Sequence, residues 1–211
     1  MKAFHQLQVI IYDCDGVLID SRAANQAFYN HILDHFGLPP LTREQWHRIA
    51  PLTAAEALVY LFEGRSELAA AQALQKNIDN SAFIPLIRLQ PHLKATLVQL
   101  RRHYRLAIAT NRGKSLAMIL QHFGLGDFFD LTVSSLDVQN PKPDPEGLAK
   151  ILRHFQVPPD RACYIGDAWL DQEVADRAGV IFGAYQNPSL AAAFHLDSHG
   201  DLWRFLPSAP D

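Results

Sequence analysis

Two aspartates stand one residue apart at the end of an apolar run near the start of the chain. Residues 9–12 read Val-Ile-Ile-Tyr, and Asp13 and Asp15 follow on either side of Cys14. A short apolar run rich in β-branched residues predicts a buried strand. Carboxylates beside a hydrophobic core are rare unless they are paired or bind a metal. We therefore expect both aspartates to do chemistry at the carboxyl end of a strand, where open α/β sheets bind ligands.

Polar or reactive residues also end the later apolar runs. They are Thr110 after residues 105–109, Lys142 beyond the run that begins at 131, and Asp167 after 162–166, with Asp171 four residues on. Because parallel strands point their carboxyl ends the same way, we expect these groups to converge with Asp13 and Asp15 on one edge of the sheet.

The chemistry of this set is that of phosphoryl transfer. Several carboxylates held together repel one another unless they are protonated or bind a cation. Mg²⁺ suits one or two carboxylates together with water and substrate oxygens. The Lys142 ammonium and the Thr110 hydroxyl would then bind an anion, and a carboxylate can accept a phosphoryl group.

The elements that must position these groups alternate along the chain. Strands are predicted over residues 8–13, 105–110, 131–134, 162–166 and 180–184. Helices are predicted over residues 92–103, 115–123, 145–155 and 172–178, and the tail adds a short edge strand near 195–196 and a last helix around 203–206. This alternation predicts an α/β fold with a Rossmann-like parallel sheet and helices on both faces.

One stretch breaks the alternation. Residues 17–83 show no convincing strand, but helices are predicted over residues 23–36, 54–63 and 66–79, the last begun by Ser66. We interpret 17–85 as a small all-α cap domain inserted into a core domain formed by 1–16 and 86–211. The alternative is that these helices pack on the sheet as part of one body.

Four short motifs, in order, resemble those of the haloacid dehalogenase (HAD) superfamily of phosphatases. The first is Asp-Cys-Asp-Gly-Val at 13–17, and the second is Thr110-Asn111 at a strand end. The third is Lys142-Pro143, and the fourth is Gly-Asp-x-x-x-Asp at 166–171. The resemblance covers essentially the whole chain, with the helical insert where the family's first cap type belongs. Within the family, the chain is most similar to phosphoglycolate-phosphatase-like members.

The resemblance implies a role for each residue of the first two motifs. Asp13 would attack phosphorus and become a transient aspartyl phosphate, and Asp15 would protonate the leaving alcohol and then activate water. Asp15 would need a raised pKa, which crowding by other carboxylates could supply. Thr110 would bind the phosphoryl oxygens together with the amides of Asn111, Cys14 and Asp15.

The remaining motifs would hold charge. Lys142 would neutralise the phosphoryl group and Asp13. Mg²⁺ would be held by the Asp13 side chain, the Asp15 backbone carbonyl and Asp167, with Asp171 supporting the ion directly or indirectly. The partner would be a small phosphorylated metabolite.

Composition excludes several other classes of protein. The 211 residues are 48% hydrophobic with a net charge of −3 and no long run of one sign, so nothing favours nucleic acid or a membrane surface. No apolar segment is long enough to span a bilayer, and residues 1–6 do not resemble a signal peptide, which predicts a cytoplasmic protein. Cys14 and Cys163 are interpreted as reduced core residues, and the ten scattered histidines do not suggest zinc.

Several alternatives stay open at this point. A sugar phosphomutase of the same family would carry a Gly-x-Ser-Arg stretch in the cap, whereas residues 50–53 read Ala-Pro-Leu-Thr. An inorganic pyrophosphatase is a further alternative. A dehalogenase is disfavoured because it does not use the second Asp, and a non-catalytic phosphate-binding module would lack one of the key groups. The substrate and oligomeric state are not decided, nor is whether Arg112 and Lys114, or Arg22, Trp46, His47 and Arg48 of the insert, meet the substrate.

Overall fold

The central sheet of this computed structural model, which describes residues 6–206, has six parallel strands. In chain order they are β1 (Val9–Tyr12), β4 (Arg105–Ala109), β5 (Leu131–Val133), β6 (Ala162–Gly166), β7 (Ile181–Tyr185) and β8 (Phe194–Leu196). Their spatial order is β5-β4-β1-β6-β7-β8. All five strands predicted for the sheet are present, and β8 confirms the predicted edge strand.

The register of the sheet sets up the site. Tyr12, the last residue of β1, pairs with Ile108 of β4 and with Ile165 of β6. The three strands therefore end level with one another. As a result, the residues that follow them, Asp13, Thr110 and Asp167, emerge side by side at the carboxyl edge.

Helices cover both faces of this sheet, as predicted. They are α5 (Leu93–Leu100), α6 (Ser115–His122), α7 (Glu146–Phe155) and α8 (Trp169–Ala178). Alternate residues of a strand point to opposite faces. Accordingly, Ile10 packs in a cluster with Leu97 and Ile119, whereas Ile11 packs in a second cluster with Ile151 and Val174.

The helical insert, defined here as residues 21–87, has four α-helices and a hydrophobic cluster of its own. The helices are α1 (Arg22–His35), α2 (Arg43–Ile49), α3 (Ala54–Leu61) and α4 (Leu68–Asn77). The cluster includes Ile32, Trp46, Leu58 and Ala71. The all-α character of the insert is thus confirmed, and the division into domains at 17–85 stays a prediction. Its outer bounds at 1–5 and 207–211 lie outside the described residues.

Two short strands join the insert to the core. β2 (Ile19–Asp20) pairs antiparallel with β3 (Arg88–Leu89), so the chain enters and leaves the insert at neighbouring points. The prediction of no strand over 17–83 was therefore wrong at β2, whereas β3 lies beyond that range. A two-residue strand is too short to show a hydrophobic period, which is why its sequence carries no signal.

Other local predictions also need correction. Helix α2 was missed, although Thr42 and Gln45 form a capping box at its start. The helix predicted to begin at Ser66 begins at Leu68, without a side-chain cap. The predicted last helix around 203–206 is instead a 3₁₀ helix, His199–Arg204. It begins earlier than predicted because Ser198 and Asp201 form a capping box at its start.

Within residues 6–206, every helix is too short or too polar to cross a membrane. The cytoplasmic location stays a prediction. Both cysteines are buried and free.

Candidate active site

Lys142 lies at the centre of a buried network at the carboxyl edge of the sheet. Its Nζ is 3.0 Å from Asp13 Oδ1, 2.6 Å from Asp171 Oδ1 and 2.8 Å from the Tyr164 hydroxyl oxygen. The Tyr164 hydroxyl also lies 2.9 Å from Asp171 Oδ1 and 3.0 Å from the Ala109 carbonyl. The ammonium thus donates to Asp171 and Tyr164, and these two hydrogen bonds hold its charge beside Asp13, whose Oδ1 itself accepts no hydrogen bond.

Asn111 fixes the backbone that carries this lysine. The Lys142 N–H donates to Asn111 Oδ1 at 2.9 Å, and Asn111 Nδ2 donates to the Lys142 carbonyl at 3.1 Å. Nδ2 also donates to the Pro51 carbonyl of the insert at 3.2 Å. The Asn111 side chain is therefore fully used within the protein, and only its backbone N–H is left for an anion.

Three carboxylates surround the lysine. Asp13, Asp167 and Asp171 each present an oxygen within 4.8 Å of the others. Asp171 Oδ2 accepts the backbone N–H groups of Asp167 and Ala168 at 3.2 and 3.1 Å. Both Asp171 oxygens are therefore engaged by protein donors, and Asp13 and Asp167 are the two with capacity to bind a cation.

Gly16 lets the backbone approach Asp167. A Cβ at this position would lie 2.1 Å from Asp167 Oδ2, and the residue has a φ of 79°. Both observations exclude a side chain here. The glycine of the first motif thus brings the loop after β1 into contact with the loop after β6.

The charges in this network do not balance. When all three carboxylates are ionised they oppose one ammonium, which leaves two negative charges unbalanced. Burial, together with repulsion from Asp171 and Asp15, raises the pKa of Asp13 to about 7 despite the opposing effect of Lys142. Burial and repulsion from Asp171 and Asp13 raise the pKa of Asp167 well above its usual range. A divalent cation would remove this excess, so the residues present fit Mg²⁺.

Asp15 is in a different electrostatic environment. Arg112 Nε donates to Asp15 Oδ2 at 2.8 Å, and Arg112 Nη2 donates to Oδ1. Ser21 Oγ and, at 3.3 Å, Asn25 Nδ2 also donate to Oδ1. Burial acts to raise the pKa of Asp15, but the Arg112 charge and these hydrogen bonds lower it on balance.

The expectation that crowding by carboxylates raises the pKa of Asp15 was therefore wrong in this arrangement. A guanidinium from the loop after β4 binds the carboxylate directly, and an adjacent opposite charge outweighs more distant like charges. No local pattern could place Arg112 beside Asp15, because 97 residues separate the two.

An anion can also be bound by donors at this edge. Within residues 6–206, the backbone N–H groups of Cys14, Asp15 and Asn111 donate no hydrogen bond to another protein group. The buried Thr110 hydroxyl accepts the Arg112 N–H at 3.1 Å and keeps its own proton to donate. Donors of this kind bind phosphoryl oxygens without a further cost of ordering.

The structure thus brings the predicted residues Asp13, Lys142, Asp167 and Asp171 into one network. Among the insert residues considered from sequence, Arg22, Trp46 and His47 line a separate cavity of about 360 Å³ that includes none of these four. The insert residues that reach Asp15 are instead Ser21 and Asn25, which were missed.

Ser21, Asn25 and Tyr164 are the site residues that sequence reasoning did not find. Ser21 and Asn25 are four residues apart, one helical turn, directly after the first motif, which is a signal that could have been used. Tyr164 gave no signal, because a tyrosine inside an apolar strand is usually a core residue.

Comparisons with known proteins agree with one another. A family profile described as haloacid dehalogenase-like hydrolase matches residues 10–185. Phosphoglycolate phosphatase 1 of Pseudomonas aeruginosa is 30% identical over 185 residues, which cover 82% of this chain and 67% of that protein. A phosphorylated carbohydrates phosphatase of Thermotoga maritima is 26% identical over 179 residues, 82% of each chain.

A solved structure extends the similarity to the fold. The crystal structure of a HAD-superfamily hydrolase, subfamily IA, variant 1, from Geobacter sulfurreducens has a TM-score of 0.78 and 34% sequence identity. The match covers 96% of this chain and 98% of that one.

Proposed function

Because the chain belongs to the haloacid dehalogenase-like hydrolase family and is a phosphatase of that family, we propose that it hydrolyses a small phosphomonoester with Mg²⁺, through a phosphoryl group carried transiently by Asp13. The proposal is phosphoglycolate-phosphatase-like. The relatives named above support phosphatase chemistry and leave the substrate open.

One observation carries the proposal. When ionised, Asp13, Asp167 and Asp171 carry two negative charges more than Lys142 balances, at the same sheet edge as the unpaired amides of Cys14, Asp15 and Asn111. A site that combines a dication, an ammonium and amide donors neutralises a phosphoryl group and still leaves a carboxylate to attack it. A purely structural cluster would have no use for a buried and a half-buried carboxylate, Asp13 and Asp167, whose pKa values are both raised.

The metal would be held by the Asp13 and Asp167 carboxylates and by the Asp15 backbone carbonyl. It would offset negative charge between the nucleophile and the phosphoryl oxygens. Asp171 would act indirectly, because its oxygens hold Lys142, Tyr164 and the amides at the start of α8.

In the first proposed step, an Asp13 carboxylate oxygen forms a bond to phosphorus while the bond from phosphorus to the ester oxygen breaks. Asp15, which must first leave Arg112 and take up a proton from solvent, gives that proton to the departing ester oxygen, and the product is a neutral alcohol. Lys142 stabilises the charge on Asp13 and on the phosphoryl oxygens.

In the second proposed step, Asp15 takes a proton from water as the water oxygen bonds to phosphorus. The bond from Asp13 to phosphorus breaks, inorganic phosphate leaves, and the Asp13 carboxylate is restored. Both steps use the same amides and the same lysine, so one set of donors serves two displacements.

The insert would act as a cap over this site. Its Ser21 and Asn25 already reach Asp15, and its Pro51 carbonyl accepts from Asn111 of the core. These contacts would let the insert exclude water and contact the leaving group.

The test is release of inorganic phosphate from a panel of small phosphate esters, with Mg²⁺ and with a chelator. We expect turnover only with Mg²⁺, and a loss of at least about 10⁴-fold in Asp13→Asn, which keeps the shape of the side chain but is no nucleophile. A protein that is inert toward every ester with Mg²⁺ present, or an Asp13→Asn variant with wild-type turnover, would contradict the proposal.

A further inference from the structure

Arg112 is a nearly buried cation whose main partner is Asp15. Its side chain is 10% exposed. Two of its N–H groups go to Asp15, while Nη1 donates to Ser115 Oγ at 2.7 Å and Nη2 also donates to Asn25 Oδ1 at 2.8 Å. The guanidinium is therefore fixed from both the core and the insert, independently of Asp15.

This ion pair conflicts with the role proposed for Asp15. Under the proposed function, Asp15 must place an oxygen against the ester oxygen of the substrate, and in this arrangement both of its oxygens are turned to Arg112. Asp15 has to leave the guanidinium to act. A nearly buried guanidinium without an anion is costly, so another anion has to take the place that Asp15 vacates.

We propose that this anion belongs to the substrate, and that Arg112 selects phosphomonoesters whose leaving alcohol carries a second negatively charged group. This inference rests on the proposed function and deepens it. The ligand class is a short-chain phosphate ester with a carboxylate or a second phosphoryl group a few bonds from the ester oxygen. Esters of neutral alcohols would leave Asp15 on Arg112.

The geometry places this second group on the leaving-group side. The anion that replaces Asp15 occupies the site on Arg112 that the Asp15 carboxylate has left. This site is next to the ester oxygen on which Asp15 then acts. The paired N–H groups of a guanidinium match the oxygens of a carboxylate or phosphate. The hydrogen bonds from Arg112 to Asn25 and Ser115 do not involve Asp15, so the guanidinium keeps its orientation when one anion replaces the other.

Matched pairs of esters test the selection. The pairs are 2-phosphoglycolate with 2-hydroxyethyl phosphate, and 3-phosphoglycerate with glycerol 1-phosphate, which differ by a carboxylate against a hydroxymethyl group. We expect wild-type kcat/KM to favour the carboxylate member of at least one pair by about 100-fold or more, because a site built to bind an anion is left unpaired by its neutral analogue.

Substitution of Arg112 assigns the preference to this residue. In Arg112→Gln we expect the ratio of kcat/KM between the carboxylate ester and its neutral partner to fall below about fivefold. Only the kcat/KM of the carboxylate ester should decrease. Arg112→Lys, which keeps the charge without the fork, should lie between the two. Circular dichroism and thermal melting show whether the variants fold. If a variant does not fold, the ratio of wild-type kcat/KM values within the ester pair still tests the selection.

Lys114→Gln is the matched control. It removes the same charge two residues away, where Lys114 Nζ donates to the Lys76 carbonyl of the insert at 3.2 Å. We expect its preference between the two esters to equal that of the wild type.

The outcomes separate the two proposals. Two results would overturn the role of Arg112 and leave the phosphatase proposal intact. One is a similar wild-type kcat/KM for a neutral ester, its carboxylate counterpart and the bisphosphate in which the neutral ester's hydroxyl carries a second phosphate. The other is an Arg112→Gln variant that keeps the preference. A protein that hydrolyses no small ester at all would overturn both.

Discussion

At the scale of single residues, the chemistry of this site depends on where each carboxylate finds its counter-charge. Asp171 binds Lys142 and Asp15 binds Arg112, each with hydrogen bonds in addition to the ion pair. Asp13 shares Lys142, and Asp167 has no cation of its own among the described residues. Four aspartates that look equivalent in the sequence therefore divide into two with firmly assigned partners and two left to bind a cation.

The sequence could predict which aspartates converge but not this division. The division is decided by side chains from remote elements, such as Arg112 and Tyr164, whose positions no local pattern gives. For the same reason the sequence could not decide whether Asp171 binds the metal directly, whereas its two fully engaged oxygens favour an indirect role.

Replacement of Asp13 by Asn should stabilise the metal-free protein at high pH. Folding raises the pKa of Asp13 from 3.8 to about 7, so the native state loses stability as pH rises between these values. We expect Asp13→Asn to raise the free energy of unfolding by about 2 kcal/mol at pH 8 in a chelator, and by much less at pH 5. Urea denaturation at both pH values measures this, and an equal effect at both would contradict the assigned charge.

Tyr164→Phe should lower kcat with little change in KM. The variant removes a hydroxyl that contacts Lys142 Nζ, Asp171 and the Ala109 carbonyl, so the lysine loses one of three partners. We expect kcat to fall about tenfold and stability to fall by about 1 kcal/mol. Steady-state kinetics and thermal melting measure the two effects. Unchanged kcat would show that Asp13 and Asp171 alone position Lys142.

At the scale of elements, the loop after β4 connects the active site to the insert. Asn111, Arg112 and Lys114 each donate at least one hydrogen bond to the insert, at Pro51, Asn25 and Lys76 respectively. The same loop carries Thr110 and holds the backbone of Lys142. Its conformation therefore affects both the position of the insert and the charge beside Asp13.

The strands and helices of the core were predictable because hydrophobic period and turn residues agree along most of their length. The insert was predicted less well. Its capping box at Thr42 was overlooked. The strand β2 is only two residues long, and its antiparallel pairing with β3 depends on contacts such as that between Ile19 and Leu89, 70 residues apart, which give no local pattern.

Asn111→Ala should disturb the loop and the lysine together. The change removes the hydrogen bonds to both backbone groups of Lys142 and the one to the Pro51 carbonyl. We expect kcat/KM to fall between about 10- and 100-fold, mostly through kcat, since a small misplacement of a catalytic charge is costly. Lys114→Ala, which removes only a contact to the insert, should change kcat by less than about threefold. A similar loss of kcat in both variants would contradict the specific role of Asn111.

At the scale of the whole molecule, the proposed binding of Mg²⁺ would be coupled to folding. The buried carboxylates repel one another in the native state and are far apart in the unfolded chain, so an ion that binds only the native state stabilises it. The core of the protein thus carries an electrostatic destabilisation that a bound Mg²⁺ ion would relieve. Stability and activity should respond to Mg²⁺ over the same concentration range.

Mg²⁺ should raise the melting temperature by several degrees at pH 8, and Asp167→Asn should abolish the shift. The variant should also melt higher than the wild type in a chelator, because the raised pKa of Asp167 reflects an unfavourable buried charge. Asp127→Asn, which removes an exposed charge, is the control and should respond to Mg²⁺ like the wild type. Differential scanning fluorimetry measures the shifts, and an Asp167→Asn variant that still responds fully would exclude Asp167 as a ligand.

The paired strands β2 and β3 have a consequence for how such a protein diversifies. Since the chain departs and returns at adjacent positions, the intervening segment can be lengthened, exchanged or removed without moving the ends that it connects. The phosphoryl-handling groups all lie outside that segment, on the permanent scaffold. A different segment between β2 and β3 can therefore change the substrate specificity, while the residues proposed to transfer the phosphoryl group stay the same.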